Sequence, residues 1–212
     1  MRARLRQHLG CLASLLLFGS LATAAEPAPP PRLKAGVFTP ANLAPPFALQ
    51  GSQGAPVKLG DYRGKVVVLA FGYTHCPEVC PTTLALLTQA HRKLGDAGRD
   101  LQILYVTVDP QRDSLARLKQ YLGTFDPSFI GLTGTSSQLA AVQQLYGVTA
   151  KRQDAGDTYF VGHSTSTYLI DRSGRLRALM PYGRGVSDYV HDLSILLQEA
   201  AAQAPSTGGA TR

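Results

Sequence analysis

Two cysteines, Cys76 and Cys80, stand in the segment Phe71-Gly72-Tyr73-Thr74-His75-Cys76-Pro77-Glu78-Val79-Cys80-Pro81, with a proline after each. Proline fixes φ and lacks an N–H, so Pro77 and Pro81 shape the loop, and Pro81 is placed to open a helix. A helix N-terminus stabilises nearby negative charge and so lowers thiol pKa values. A thiolate is both a soft-metal ligand and a redox nucleophile. A plain structural disulfide is the bland alternative. Closing so short a loop removes little unfolded-chain entropy, and the loop follows a buried strand, where open α/β sheets build sites rather than staples.

The five histidines are unequal. His8 lies in the N-terminal leader. His91 falls on an apolar helical stripe and His191 inside the last helix, so both read as packing or surface residues. His75 adjoins Cys76 with its side chain directed away from the thiols, where it can tune a thiol through charge. His163, in Tyr159-Phe160-Val161-Gly162-His163-Ser164, precedes a core strand, and Gly162 gives the chain latitude to present the imidazole. Spacing alone reads His163 as a satisfied loop histidine. Asp109 ends the second core strand on the cysteine edge. It is either a strand-ending Asp-Pro turn or an electrostatic neighbour of the site.

These residues need a scaffold. Lys65–Phe71 and Leu101–Val108 are apolar runs rich in β-branched residues, as in strands buried on both faces. Leu84, Leu87, His91 and Leu94 recur between them at helical spacing, so the two strands are parallel with a crossover helix. Asp113–Leu122 is a second helix, and Thr135-x-x-Gln138 is a capping box for a third. Thr165–Asp171 and Arg175–Met180 flank Arg172-Ser173-Gly174 as a hairpin, and a final helix starts at Ser187. The economical assembly is an α/β fold of thioredoxin type, a central mixed sheet with helices on both faces.

The chain has 212 residues, 44% hydrophobic and 17% charged, which suits a folded core and excludes wholesale disorder. Of the formal charge of +7, Arg2, Arg4 and Arg6 supply three. No Lys/Arg run of motif density appears, so nucleic acid is not an expected partner. Residues 1–24 read as a secretory signal: those arginines, an apolar stretch from Leu12 to Leu21, and Ala22-Thr23-Ala24 for cleavage. The stretch is short for a span, and an uncleaved anchor is the alternative and the sole route to a membrane. Cys11 precedes most of it and is given no function. The mature chain then holds only Cys76 and Cys80, in an oxidising compartment such as the periplasm. Residues 25–43 are a proline-rich linker with few contacts, 44–203 the domain, and 204–212 a disordered tail.

The segment Gly72–Pro81 resembles the Sco/SenC signature Gly-Tyr-Thr-x-Cys-Pro-Asp-x-Cys-Pro. Val106–Asp113, Phe129–Gly134 and His163–Asp171 resemble further stretches of that family in the same order, and the likeness covers about residues 44 to 200. Glu78 stands in place of the usual Asp. Gly162 stands where Asp is common, so an acidic partner for His163 is missing there. The resemblance implies a copper site formed by Cys76, Cys80 and His163. Two thiolates and an imidazole suit Cu(I) and can also hold Cu(II), whereas zinc wants a fourth ligand. It also implies a metallochaperone rather than an enzyme, delivering copper to the binuclear copper site of cytochrome c oxidase during assembly. The partner is then the oxidase's copper-site subunit, with other periplasmic copper chaperones or thiol reductants beside it. The competing role is a thiol–disulfide reductase that keeps the oxidase cysteines reduced through the redox-active pair Cys76 and Cys80. The CxxxC spacing departs from the CxxC of such enzymes and leaves His163 without a purpose. Thioredoxin-like glutathione peroxidases use a Trp, and this chain has none.

Overall fold

The computed structural model describes residues 32–199. The leader with His8 and Cys11, the first part of the linker and the C-terminal tail lie outside these residues. Among the described residues no helix is long and apolar enough to cross a membrane.

The two apolar runs form the centre of the sheet. β4 (Val66–Gly72) and β5 (Leu101–Thr107) pair in parallel from Val66↔Leu101 to Gly72↔Thr107. Every residue of β4 is buried, as a strand covered on both faces requires. Each leucine so buried, such as Leu69 and Leu104, contributes about 1.5–3 kcal/mol of burial free energy. Around this pair, β1 (Gly36–Val37), β2 (Ala48–Gly51), β3 (Pro56–Lys58), β6 (Ile130–Thr133), β9 (Thr167–Ile170) and β10 (Leu176–Met180) complete a mixed sheet in the order β1-β10-β9-β4-β5-β6-β2-β3. The β9–β10 hairpin turns through Arg172-Ser173-Gly174, with Gly174 at φ 75° and Asp171 Oδ1 accepting from Ser173 N.

Helices cover both faces. α1 (Val79–Leu94) packs beside α4 (Val186–Gln198), and α2 (Leu115–Gly123) lies over β6, where Leu118 crowds Gly131. On the opposite face Tyr146, which ends α3 (Ser136–Leu145), meets Phe71 and Tyr168 with ring centroids 5.9 and 5.2 Å away. The capping box forms as read: Gln138 N donates to Thr135 Oγ1 and Thr135 N to Gln138 Oε1.

Two readings need correction, and one region went unread. α1 opens at Val79, two residues before Pro81, so Cys80 lies inside the first turn. Proline is tolerated there because first-turn N–H groups have no intrahelical partner. The linker does not run to residue 43 as a spacer with few contacts. Lys34 N and Ala35 N donate to the buried Asp192 carboxylate, and Gly36–Val37 pairs with Leu179–Ala178. A carboxylate inside a helix can dock a passing backbone as firmly as an apolar side chain can. Finally, β7 (Ala150–Ala155) and β8 (Thr158–His163) form a separate antiparallel ribbon that the periodicity did not announce. All of β7 is exposed, so no alternation marks it.

Candidate metal centre

Cys76 and Cys80 emerge where β4 gives way to α1. The loop between them is pinned from below by a fully buried carboxylate. Asp113 accepts from Thr74 N (3.3 and 3.1 Å), Thr74 Oγ1 (2.7 Å) and Thr107 Oγ1 (2.7 Å). Each of these is a donor that burial would otherwise leave unpaired. Asp113 therefore fixes the residue two positions before Cys76. Periodicity could not find it, because a single Asp ahead of a helix reads as a cap.

The two thiols differ sharply. Cys80 is 3% exposed, whereas Cys76 is half-buried at the helix N-terminus. Cys80 N donates to Cys76 Sγ at 3.4 Å. Hydrogen bonding from Cys80 above all, with the Cys80 and Glu78 amides, pulls the Cys76 thiol down to about 3 against its own burial. The Cys80 thiol is pushed up, first by its hydrogen bond with Cys76 and then by burial. One proton is thus shared unequally, with a thiolate outside and a thiol inside.

His163 reaches this pair from the ribbon. It ends β8 opposite Ala150, and its Nε2 lies 3.5 Å from Cys80 Sγ. Its Nδ1 lies 2.7 Å from the Ser164 carbonyl, which can only accept, so Nδ1 carries a proton. In the neutral ring the lone pair is then on Nε2, aimed at the sulfurs. The polar partner that Gly162 cannot offer is supplied by main chain. Gly162 itself is an ordinary strand residue with no positive φ, so the latitude expected of it is not used.

Several residues dock the ribbon. Val161 N donates to the Tyr73 hydroxyl at 3.2 Å, and the Tyr73 ring meets the His163 ring edge-on with centroids 5.8 Å apart. Tyr159 is sandwiched between the guanidinium groups of Arg112 (3.6 Å) and Arg152 (3.7 Å). Its hydroxyl donates to Asp109 Oδ1 at 2.8 Å, and Arg112 Nη1 donates to its carbonyl at 3.1 Å. Asp109 is buried, ion-paired with Arg112, and acts on the site through this ribbon rather than by touching a sulfur. Sequence reasoning gave no role to Tyr73, Arg112 or Tyr159, although all three lie inside the quoted segments.

The remaining histidines stay apart. His75 Nδ1 is 3.1 Å from Thr74 Oγ1, and His75 is not among the side chains that converge with the sulfurs. His91 bridges Asp126 and the Gly98 carbonyl, and His191 meets Asp192. Among the described residues one group of His, Cys, Asp or Glu side chains converges as ion ligands do: Cys76, Cys80 and His163, whose donor atoms lie within 4.8 Å of one another. Two sulfurs and one imidazole nitrogen, half-buried, are a donor set for a soft, low-coordinate ion.

Known proteins are similar to this chain. The chain is 40% identical over 133 residues to the mitochondrial SCO2 homolog protein of Mus musculus, a stretch covering 60% of this chain and 52% of that protein. It thus spans about half the length of such curated relatives. The structure of Bradyrhizobium japonicum ScoI with copper bound is 35% identical, with a TM-score of 0.68 over 73% of this chain and 99% of that one. Yeast Sco1 with copper bound is 31% identical, with a TM-score of 0.68 over 78% and 92%. The SCO1/SenC family model matches residues 37–198, and with the thioredoxin-like fold and the converging cysteines and histidine on the same stretch, the chain belongs to the SCO1/SenC family.

Proposed function

We propose that the chain carries copper and delivers it to the binuclear copper site of cytochrome c oxidase during assembly. One Cu(I) would be held by Cys76 Sγ, Cys80 Sγ and His163 Nε2. The observation that carries this reading is the imidazole nitrogen placed 3.5 Å from Cys80 Sγ with its lone pair toward the sulfurs. Thiol exchange gains nothing from a third donor, whereas a nitrogen beside two sulfurs strengthens the hold on a soft ion. The family's copper-bound structures support the same choice of ion.

Delivery needs ligand exchange and no covalent chemistry. Acceptor thiolates displace the chain's donors one at a time, and the copper keeps its charge throughout. The half-buried Cys76 and the ribbon-borne His163 face the incoming ligands, so Cys80 lets go last. The dithiol must be reduced first, because a disulfide sulfur is a poor ligand. The leader and an oxidising exported compartment, the periplasm of a Gram-negative host, fit this task.

A reductase reading rests on the contrast between the thiols. The Cys76 thiolate would attack a partner disulfide and release one partner thiolate. Cys80 would then attack Cys76 Sγ and release the second, leaving a Cys76–Cys80 disulfide and a partner reduced by two electrons.

These experiments test the reading and separate it from the reductase. X-ray absorption of the loaded protein should show two sulfurs and about one nitrogen around copper. His163→Ala should lose copper to competing thiols yet retain dithiol exchange, and should fail to restore oxidase activity to a deletion strain at low copper. Full rescue by His163→Ala, with none by Cys76→Ser, would make the reductase reading the right one.

A further inference from the structure

Behind Cys80 the sheet holds a polar atom that packing does not explain. Tyr105, in β5, is buried, and its hydroxyl has no hydrogen-bond partner of good geometry among the described residues. A phenylalanine would fill the same space beside Tyr121 without burying an unpaired oxygen. The hydroxyl is aimed at the site. A methyl group on Gly72 would lie 2.2 Å from Tyr105 Oη and 2.7 Å from Cys80 Sγ, so the two atoms converge on one spot that glycine alone leaves free. The hydroxyl and the sulfur thus face the same spot, yet as they stand they make no hydrogen bond. Tyr105, Cys80 and His163 also line one small cavity.

We propose that the Tyr105 hydroxyl donates a hydrogen bond to Cys80 Sγ once that sulfur holds copper, and that Tyr105 is a positioning residue favouring Cu(I) over Cu(II) at the site. The inference rests on the copper reading above. Metal binding releases the Cys80 thiol proton to solvent and leaves the sulfur an acceptor only. A small shift of the sulfur or of the ring then brings the two atoms into hydrogen-bond geometry. A hydrogen bond to a metal thiolate draws electron density off the sulfur. Cu(II) leans on that density more than Cu(I) does, so the reduced ion is relatively better held, in the way hydrogen bonds around a copper-bound cysteine tune other copper sites.

The test is Tyr105→Phe, with Tyr121→Phe as control, since Tyr121 also carries a buried unpaired hydroxyl. Tyr105→Phe should fold normally and bind one copper. Its preference for Cu(I) over Cu(II) should fall about fivefold, the worth of a typical hydrogen bond. Its sulfur-to-Cu(II) charge-transfer band should move to longer wavelength, because the sulfur donor orbital is no longer stabilised. Tyr121→Phe should leave both unchanged. A Tyr105→Phe protein that binds copper with the wild-type band and preference overturns the tyrosine inference and leaves the copper reading standing. A wild-type protein that takes up no copper overturns the copper reading, and this inference with it.

Discussion

The thiol side of the centre and the imidazole side are built by different means. Cys76 and Cys80 sit where the most deeply buried strand meets a sixteen-residue helix, over a carboxylate with no exposed surface. His163 rides on a two-stranded ribbon outside the main sheet, one strand of which is exposed throughout. A lone two-stranded ribbon is marginal in water, so this one relies on its docking contacts: the Tyr73 hydroxyl, the Arg112–Tyr159 pair and Asp109. The sulfurs therefore share the stability of the whole domain, while the nitrogen can leave at the smaller cost of undocking a ribbon. For a carrier, that places the weak ligand on the part that opens first.

Breaking the thiol side should have the largest effect. Asp113→Ala strands the Thr74 amide and the Thr74 and Thr107 hydroxyls, which should cost about 1–3 kcal/mol or more in urea unfolding and weaken copper retention along with the fold. Unchanged stability would mean that the Thr74 loop is not held from below.

Breaking the ribbon side should separate the two properties. Tyr73→Phe removes the acceptor for Val161 N–H, one donor against three, and should cost about 1 kcal/mol, the low end of that range. Amide exchange across β7 and β8 should quicken, and copper loss to a competing thiol should accelerate, while exchange in β4 stays slow. Equal acceleration in β4 would refute the division into two regions.

The mildest test concerns the outer thiol alone. With its pKa drawn down to about 3, Cys76 should react as a thiolate through the ordinary working range. Its alkylation by iodoacetamide in the reduced, metal-free protein should thus be nearly flat from about pH 5 to 8, where an ordinary thiol speeds up with each unit. Cys80, at 3% exposure, should react far more slowly. A Cys76 rate that climbs steeply with pH would show that the proton is not shared as the geometry implies.

The same division decided what could be read from the residues. β4, β5, α1 and the β9–β10 hairpin announce themselves, since burial on both faces demands runs like Val66-Val67-Val68-Leu69 and a turn needs its Ser173-Gly174. The cysteine loop was legible for that reason, being the junction of two legible elements. The ribbon was not. Ala150-Lys151-Arg152-Gln153-Asp154-Ala155 has no apolar face, and its strand exists because of tertiary docking rather than local preference. His163 was accordingly indistinguishable by spacing from a loop histidine and stood out only through family resemblance. Asp113, Tyr73 and Asp192 were invisible for a third reason: their partners lie far along the chain, and burial of a polar group leaves no periodic trace.

The Ser164 carbonyl carries one further consequence. It sets which ring nitrogen of His163 is bare, and a carbonyl belongs to every residue type. No codon change at position 164 can erase it as a substitution erases a carboxylate. The orientation of the ligand is thus inherited with the course of the backbone: point mutations at that position should spare it, and an inserted or deleted residue between Gly162 and Thr167 should destroy it.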